Sequence, residues 1–290
     1  MSWRVIVVSS SAKLDYQMGF LVVRKDVVQK VHLNEISTLI LESTAISLTA
    51  ALISELIKRK IKVIFCDEKR NPCGEIIPYY GSHDTSIKVK NQVTWDIAVK
   101  QSVWTEIVSE KIRKQKEFLE ELSKEEACLL QDYLQEIQFA DVSNREGHAA
   151  KVYFNALFGL DFTRTEECPT NAALNYGYSI ILSAFNREIV SNGYITQLGI
   201  FHDNRFNPFN LASDMMEPYR ILVDRKVYEM KPVKFEHNEK MELVNLLNQE
   251  VMIADRKEYI NNVIKIYTKS VLDALSEQDV SYIRFYKNEL

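Results

Sequence analysis

Thiols are scarce in this 290-residue chain: Cys66, Cys73, Cys128 and Cys168 are the only cysteines, and none forms a CxxC pair. That spacing argues against a zinc cluster, and without a secretory leader the thiols are read as reduced, in a cytoplasm. No window of about 18 uninterrupted apolar residues occurs, so no membrane span is expected. The opening MSWRVIVVSSSAKLDYQMGFLVV lacks the apolar core of a signal peptide, because VIVV is short and polar residues follow it directly. A basic excess is missing as well. The net charge of −4 weighs against a protein that coats nucleic acid by charge alone. It leaves room for DNA chemistry at an acidic metal site with basic residues elsewhere. There is no P-loop, no internal repeat and no low-complexity segment. What remains is an ordinary globular mixture, 46% hydrophobic and 26% charged, long enough for two domains.

The first part is strand-rich. WRVIVVS, GFLVVRKD, VVQKVHL and STLILES are short, β-branched and separated by polar turns. TAISLTAALISELIKRK carries apolar residues at helical spacing, IKVIFC reads as a buried strand and KRNPCG as a turn. Residues 1–78 are therefore expected to form a small β-rich domain with one packed helix. The stretch 79–92, with its Pro, Gly, Ser, Asp and Thr, reads as a linker. From 93 to about 139 the texture changes to Glu, Lys, Gln and Leu, the composition of a helical hairpin. DVSNREGHAAKVYFNALF begins with good N-cap residues. PTNAALNYGYSIILSAFNREIVSNG is a long helix, capped by Thr170 or Asn171 and ended by Asn192-Gly193. Two further helices follow, ELVNLLNQ and EYINNVIKIYTKSVLDAL, with EVMIADRKEY between them suited to a short hairpin. The fold class expected is α+β, with an all-α domain over 93–290.

Three places carry candidate chemistry. In LASDMMEPYRILVDRK, Asp214, Glu217 and Arg220 lie at i, i+3 and i+6, roughly one face. The bland reading is acids offsetting a helix dipole, and Pro218 requires a helix start or a kink there. Upstream, His202 stands in the loop GIFHDNRFNPFN. A His with carboxylates suits Mg²⁺ or Mn²⁺ better than a thiolate set would. In NREGHAAKVYF, Glu146 opens a helix before Gly147 and two alanines, and Tyr153 shares its face. His148 points elsewhere and is read as structural or surface. The basic run Lys58, Arg59, Lys60 and Lys62 would suit DNA phosphates, but a solvated helix end explains it equally well.

EGHAAKVYF, NAALNYGYSIIL and GIFHDNRFNPFNLASDMMEPYR, in this order and with an Asp214-x-x-Glu217-Pro218-Tyr219-Arg220 ending, resemble the CRISPR-adaptation integrase family, most closely its type II-A branch. LNEISTLILES and IKVIFCDEKRNPCG extend the likeness into the first domain. The resemblance implies an N-terminal β-domain that dimerises and a helical catalytic domain. It implies Glu146, His202 and Glu217 as ligands of Mg²⁺ or Mn²⁺, with Asp214 supporting them as part of the catalytic set and Arg220 orienting a carboxylate or a phosphate. Asn171, Asn175 and Tyr178 fall in the family's Asn-rich helix. The implied reaction inserts a new spacer into a CRISPR array by 3′-hydroxyl transesterification at the leader–repeat and repeat–spacer junctions. The implied partners are double-stranded DNA and a small ferredoxin-like companion, around which two homodimers assemble. The branch adds a ring-forming DNA-end-binding protein and an effector nuclease. The rival readings are a metal-dependent endonuclease acting on branched DNA and a non-catalytic assembly scaffold.

Overall fold

The computed structural model describes residues 4–79 and 81–287. Trp3 of the predicted first strand, Tyr80 of the predicted linker and residues 288–290 lie outside them. The strands are β1 (Arg4–Val8), β2 (Ala12–Gln17), β3 (Phe20–Arg24), β4 (Gln29–His32), β5 (Ile36–Leu41), β6 (Ile46–Leu48), β7 (Lys62–Cys66), β8 (Pro72–Glu75), β9 (Glu250–Ile253), β10 (Arg256–Tyr259) and β11 (Tyr286–Lys287). The helices are α1 (Ala50–Lys58), α2 (Thr85–Val93), α3 (Ile97–Glu121), α4 (Ala127–Glu136), α5 (Arg145–Phe158), α6 (Pro169–Ser191), α7 (Asn210–Met215), α8 (Arg220–Met230), α9 (His237–Val244) and α10 (Ile260–Glu277).

The N-terminal part is two four-stranded sheets. One runs β1-β5-β7-β8, the first three parallel and β8 antiparallel to β7; the other runs β4-β3-β2-β6. In β5, ISTLIL is buried throughout, because a strand alternates its faces and both faces here are covered. Leu39 and Leu41 join a core with Leu14, Leu21, Leu52 and Leu56, while Ile40 and Ile64 join the core of the helical part. The β-rich domain is thus docked on the helices through the back of one sheet.

Four expectations need correction. The helix predicted from residue 44 begins only at Ala50. Ile46–Leu48 instead pairs in parallel with β2, and Thr49 caps the helix by accepting from the Leu52 amide at 3.3 Å. In the KRNPCG turn, Pro72–Glu75 is the edge strand β8, where proline's missing N–H is tolerated. The linker at 79–92 is largely α2. Its Gln92 is buried, donating to the carbonyls of Ile195 (2.8 Å) and Leu198 (3.1 Å) and accepting from the Ile195 amide at 3.0 Å. Gly81 lies so close to α6 that an added Cβ would stand 1.6 Å from the Val190 carbonyl oxygen. The Ser, Asp and Thr that suggested a flexible connection are the turn that starts this helix. Finally, the C-terminal domain is not all-α. β9 and β10 form the hairpin foreseen at EVMIADRKEY, and β11 adds a third strand. Ala254 and Asp255 both take positive φ, as a two-residue hairpin turn demands.

Candidate active site

The site forms where the loop before α7, the break between α7 and α8, and the start of α5 meet α3. Asn210 opens α7 and ties that loop down, its amide donating to the carbonyls of Gln197 and Asn204, both at 3.0 Å. Asp214 is completely buried. Its carboxylate accepts from the amides of Ile200 (2.6 Å), Phe201 (3.0 Å) and His202 (3.2 Å), and from Nδ1 of the His202 ring. Gly199 makes this wrap possible, since a Cβ there would lie 2.3 Å from the His202 carbonyl oxygen and 2.7 Å from Asp214 Oδ2. The carboxylate fixes the proton on Nδ1 and leaves the Nε2 lone pair available. The Asp214 hydrogen bond, against the opposing effect of burial, raises the His202 pKa, and the charges of Glu217 and Glu146 raise it further. Trp104 supports the loop, with Phe201 stacked on it at 4.5 Å and the His202 ring against its edge.

Pro218 breaks the chain between α7 and α8 into a single 3₁₀ turn, Glu217–Tyr219. Glu217 is buried there, accepting from Arg220 Nε at 2.9 Å and from Lys111 Nζ at 2.5 Å. Burial alone would push the Glu217 carboxyl up; Arg220 and Lys111 outweigh it and hold the pKa at about 2. Lys111, on α3, also donates to Glu146. Glu146 lies in the first turn of α5. Asp141 caps that helix, accepting from the amides of Arg145 (2.7 Å) and Glu146 (3.1 Å). One ammonium therefore bridges two carboxylates that are far apart in sequence, and both act electrostatically on His202.

Glu146, Glu217, His202 and Asp214 are thus assembled in one place, although among the described residues no three His, Cys, Asp or Glu side chains stand close enough to chelate an ion as they are. The donor set nevertheless fits a hard divalent cation: two carboxylates and one imidazole whose other nitrogen is held by a carboxylate. A cation, the Lys111 ammonium, already lies between the carboxylates. The dipole reading of Asp214 does not hold, because α7 has no acid in its first turn. Arg220 orients a carboxylate. Tyr153 is buried and His148 exposed, its ring near Tyr133. Asn171 and Asn175 hold Arg164 and the loop before α6, while Tyr178 donates to Asp224. The helix is begun by Pro169 after Cys168, so neither Thr170 nor Asn171 caps it, whereas Asn192-Gly193 ends it as predicted. Of the basic run, Lys58 and Arg59 pair with Glu55, Lys60 donates to the Ser191 carbonyl, and Lys62 is buried against Glu75.

Lys111, Asp141 and Trp104 escaped the sequence reading. A signal for Lys111 existed. Trp104, Ile107, Lys111, Lys114 and Phe118 continue one stripe at spacings of three and four, and a lysine on an apolar stripe asks for a buried partner.

Comparison with known proteins identifies the family. A profile of the family described as "CRISPR associated protein Cas1" matches residues 5–252. The chain belongs to the Cas1 family. A relative from Neisseria meningitidis serogroup C (strain 8013), "CRISPR-associated endonuclease Cas1", is 32% identical, covering 96% of this chain and 95% of its own. Among solved structures, "Casposase bound to integration product" superposes with a TM-score of 0.77 at 18% identity, over 96% of this chain and 92% of that one. The "Cas6-RT-Cas1--Cas2 complex" gives 0.73 at 18% identity, over 99% of this chain and 36% of the longer one. Both share the fold of this Cas1-family chain.

Proposed function

We propose that the chain is a metal-dependent DNA integrase that joins a spacer's 3′-hydroxyl to a CRISPR array at the leader–repeat and repeat–spacer junctions. The observation that carries this is the Asp214–His202 pair set beside Glu217 and Glu146, in a member of the Cas1 family. Bound through Glu146, His202 and Glu217, Mg²⁺ or Mn²⁺ would lower the pKa of the attacking hydroxyl and offset charge on the phosphate. Asp214 keeps Nε2 of His202 free and the ring in place. Arg220 and the buried turn at Pro218 fix Glu217. Joining forms one phosphodiester bond as another breaks, so no nucleotide is consumed. The likeness to a casposase bound to its integration product supports an integration chemistry on this fold. The likeness to a Cas1–Cas2 assembly supports a small companion subunit, which we take to be ferredoxin-like and flanked by two homodimers. The type II-A likeness adds the ring-forming DNA-end-binding protein and the effector nuclease as further partners. Among the described residues no helix is long and apolar enough to cross a membrane.

The test is strand joining. The chain and its companion are mixed with short 3′-hydroxyl duplexes and a leader–repeat plasmid in Mn²⁺ or Mg²⁺. Wild type should join them, and Glu146→Ala, His202→Ala and Glu217→Ala should not. Joining by all three variants would leave a scaffold in place of an enzyme. The Neisseria relative's name, an endonuclease, favours a second reading: with water attacking in place of a hydroxyl, the same site would cut branched DNA, and product analysis separates the two.

A further inference from the structure

We propose that Lys111 is an exchangeable counter-ion: its ammonium holds Glu146 and Glu217 together until a divalent cation displaces it. The inference deepens the metal reading and rests on it. Both oxygens of Glu217 are already engaged, one by Arg220 at 2.9 Å and the other by Lys111 at 2.5 Å, and the same Lys111 nitrogen engages Glu146. A metal that takes both carboxylates must therefore compete, charge against charge, for a Glu217 oxygen that one of these cations already holds. Arg220 is three residues from Glu217 on one local turn, a planar fork held in place over the Tyr178 ring at 4.8 Å. Lys111 reaches in from α3 on a flexible four-carbon stem, and among the described residues it is the cation that touches both acids. It is the group that yields.

Charge points the same way. Glu146, Glu217 and Asp214 against Lys111 and Arg220 leave one net negative charge with His202 neutral. A dication in place of the Lys111 ammonium brings this to zero, with Arg220 still paired to Glu217. Without metal, removal of the ammonium would strand two partly or fully buried carboxylates together, an arrangement that like charges in low dielectric strongly disfavour. Lys111 is 7% exposed, so its ammonium meets the two carboxylates largely out of water. The device keeps the carboxylates assembled before metal arrives, and it sets metal affinity by competition.

The experiment measures Mn²⁺ binding by calorimetry and melting with EDTA or saturating Mn²⁺ on the full chain. The proteins are wild type, Lys111→Met, Lys111→Met with Glu146→Gln, and His202→Ala. Lys111→Met should melt lower in EDTA by about 5 °C or more. It should recover in Mn²⁺ and bind Mn²⁺ about tenfold tighter or more, the competitor being gone. The double variant should regain most of the lost melting temperature in EDTA, because one of the stranded charges is gone. A Lys111→Met chain with wild-type or weaker Mn²⁺ affinity, or equally low melting with and without Mn²⁺, overturns the exchange. If Lys111→Met does not fold in EDTA, the double variant decides: its failure to fold as well makes Lys111 a packing residue and sinks the proposal. Equal Mn²⁺ binding by wild type and His202→Ala would remove the metal site itself, a result separate from the failure of exchange alone.

Discussion

Asp214→Asn tests the logic of the site most sharply, because it changes one oxygen and leaves the shape. The carboxylate accepts four hydrogen bonds: Ile200 and Phe201 amides on Oδ2, and the His202 amide and ring on Oδ1. An asparagine can keep its carbonyl oxygen toward Ile200 and Phe201, and its NH₂ then faces His202. The His202 amide loses its acceptor. The ring keeps a bond only by moving its proton to Nε2, so that Nδ1 accepts. One bond is lost at about 1–3 kcal/mol, and the others weaken from charge-assisted to neutral. We expect stability to fall by about 3 kcal/mol in denaturant unfolding with EDTA. The proton on Nε2 also blocks the lone pair a metal needs, so Mn²⁺ affinity should drop about 10- to 100-fold, with strand joining lost in parallel. A folded Asp214→Asn chain that binds Mn²⁺ as tightly as wild type would refute the assignment of Asp214 as the group that sets the His202 tautomer.

Further outcomes follow from the same structure. Burial, partly offset by the Tyr178 hydrogen bond, raises the Asp224 carboxyl from 3.8 to about 6. A raised folded-state pKa gives stabilisation that is full below the unfolded value and lost as pH rises through the folded one. Asp224→Asn should therefore be more stable than wild type by up to about 3 kcal/mol at pH 8, with the difference vanishing near pH 4 in parallel denaturation curves. A constant difference across that range would contradict it. Gln92→Ala orphans the Ile195 amide and two carbonyls at the α2 contact and should cost about 2–3 kcal/mol, whereas a true linker would tolerate it within about 0.5 kcal/mol. Gly199→Ala forces the loop off Asp214 and should lower both the melting temperature and Mn²⁺ affinity; unchanged affinity would mean the loop can rebuild around a Cβ.

Local pattern determined much of this protein. Alternating β-branched runs, helical spacing and turn chemistry depend on neighbours in sequence, so the strand-rich first part, the helices and the break at Pro218 were legible, as was the end of α6 at Asn192-Gly193. The ordered motifs also pointed to Glu146, His202, Asp214 and Glu217. Local pattern misled where tertiary contacts overrode it. Residues 85–92 have linker composition but fall in a helix whose Gln92 finds three backbone partners near Ile195, and Ile46–Leu48 leaves a helical pattern to pair with β2. Only the tertiary structure decided what each acid does. Asp214 reads as a dipole partner until the loop wraps it, and the apolar stripe that carries Lys111 marks it as buried without naming its partners, which come only when α5 and the α7–α8 break close over it. The physical reason is reach: a side chain's charge acts over a few ångströms of space, and the groups that fix it here lie 14, 35 and 106 residues away along the chain.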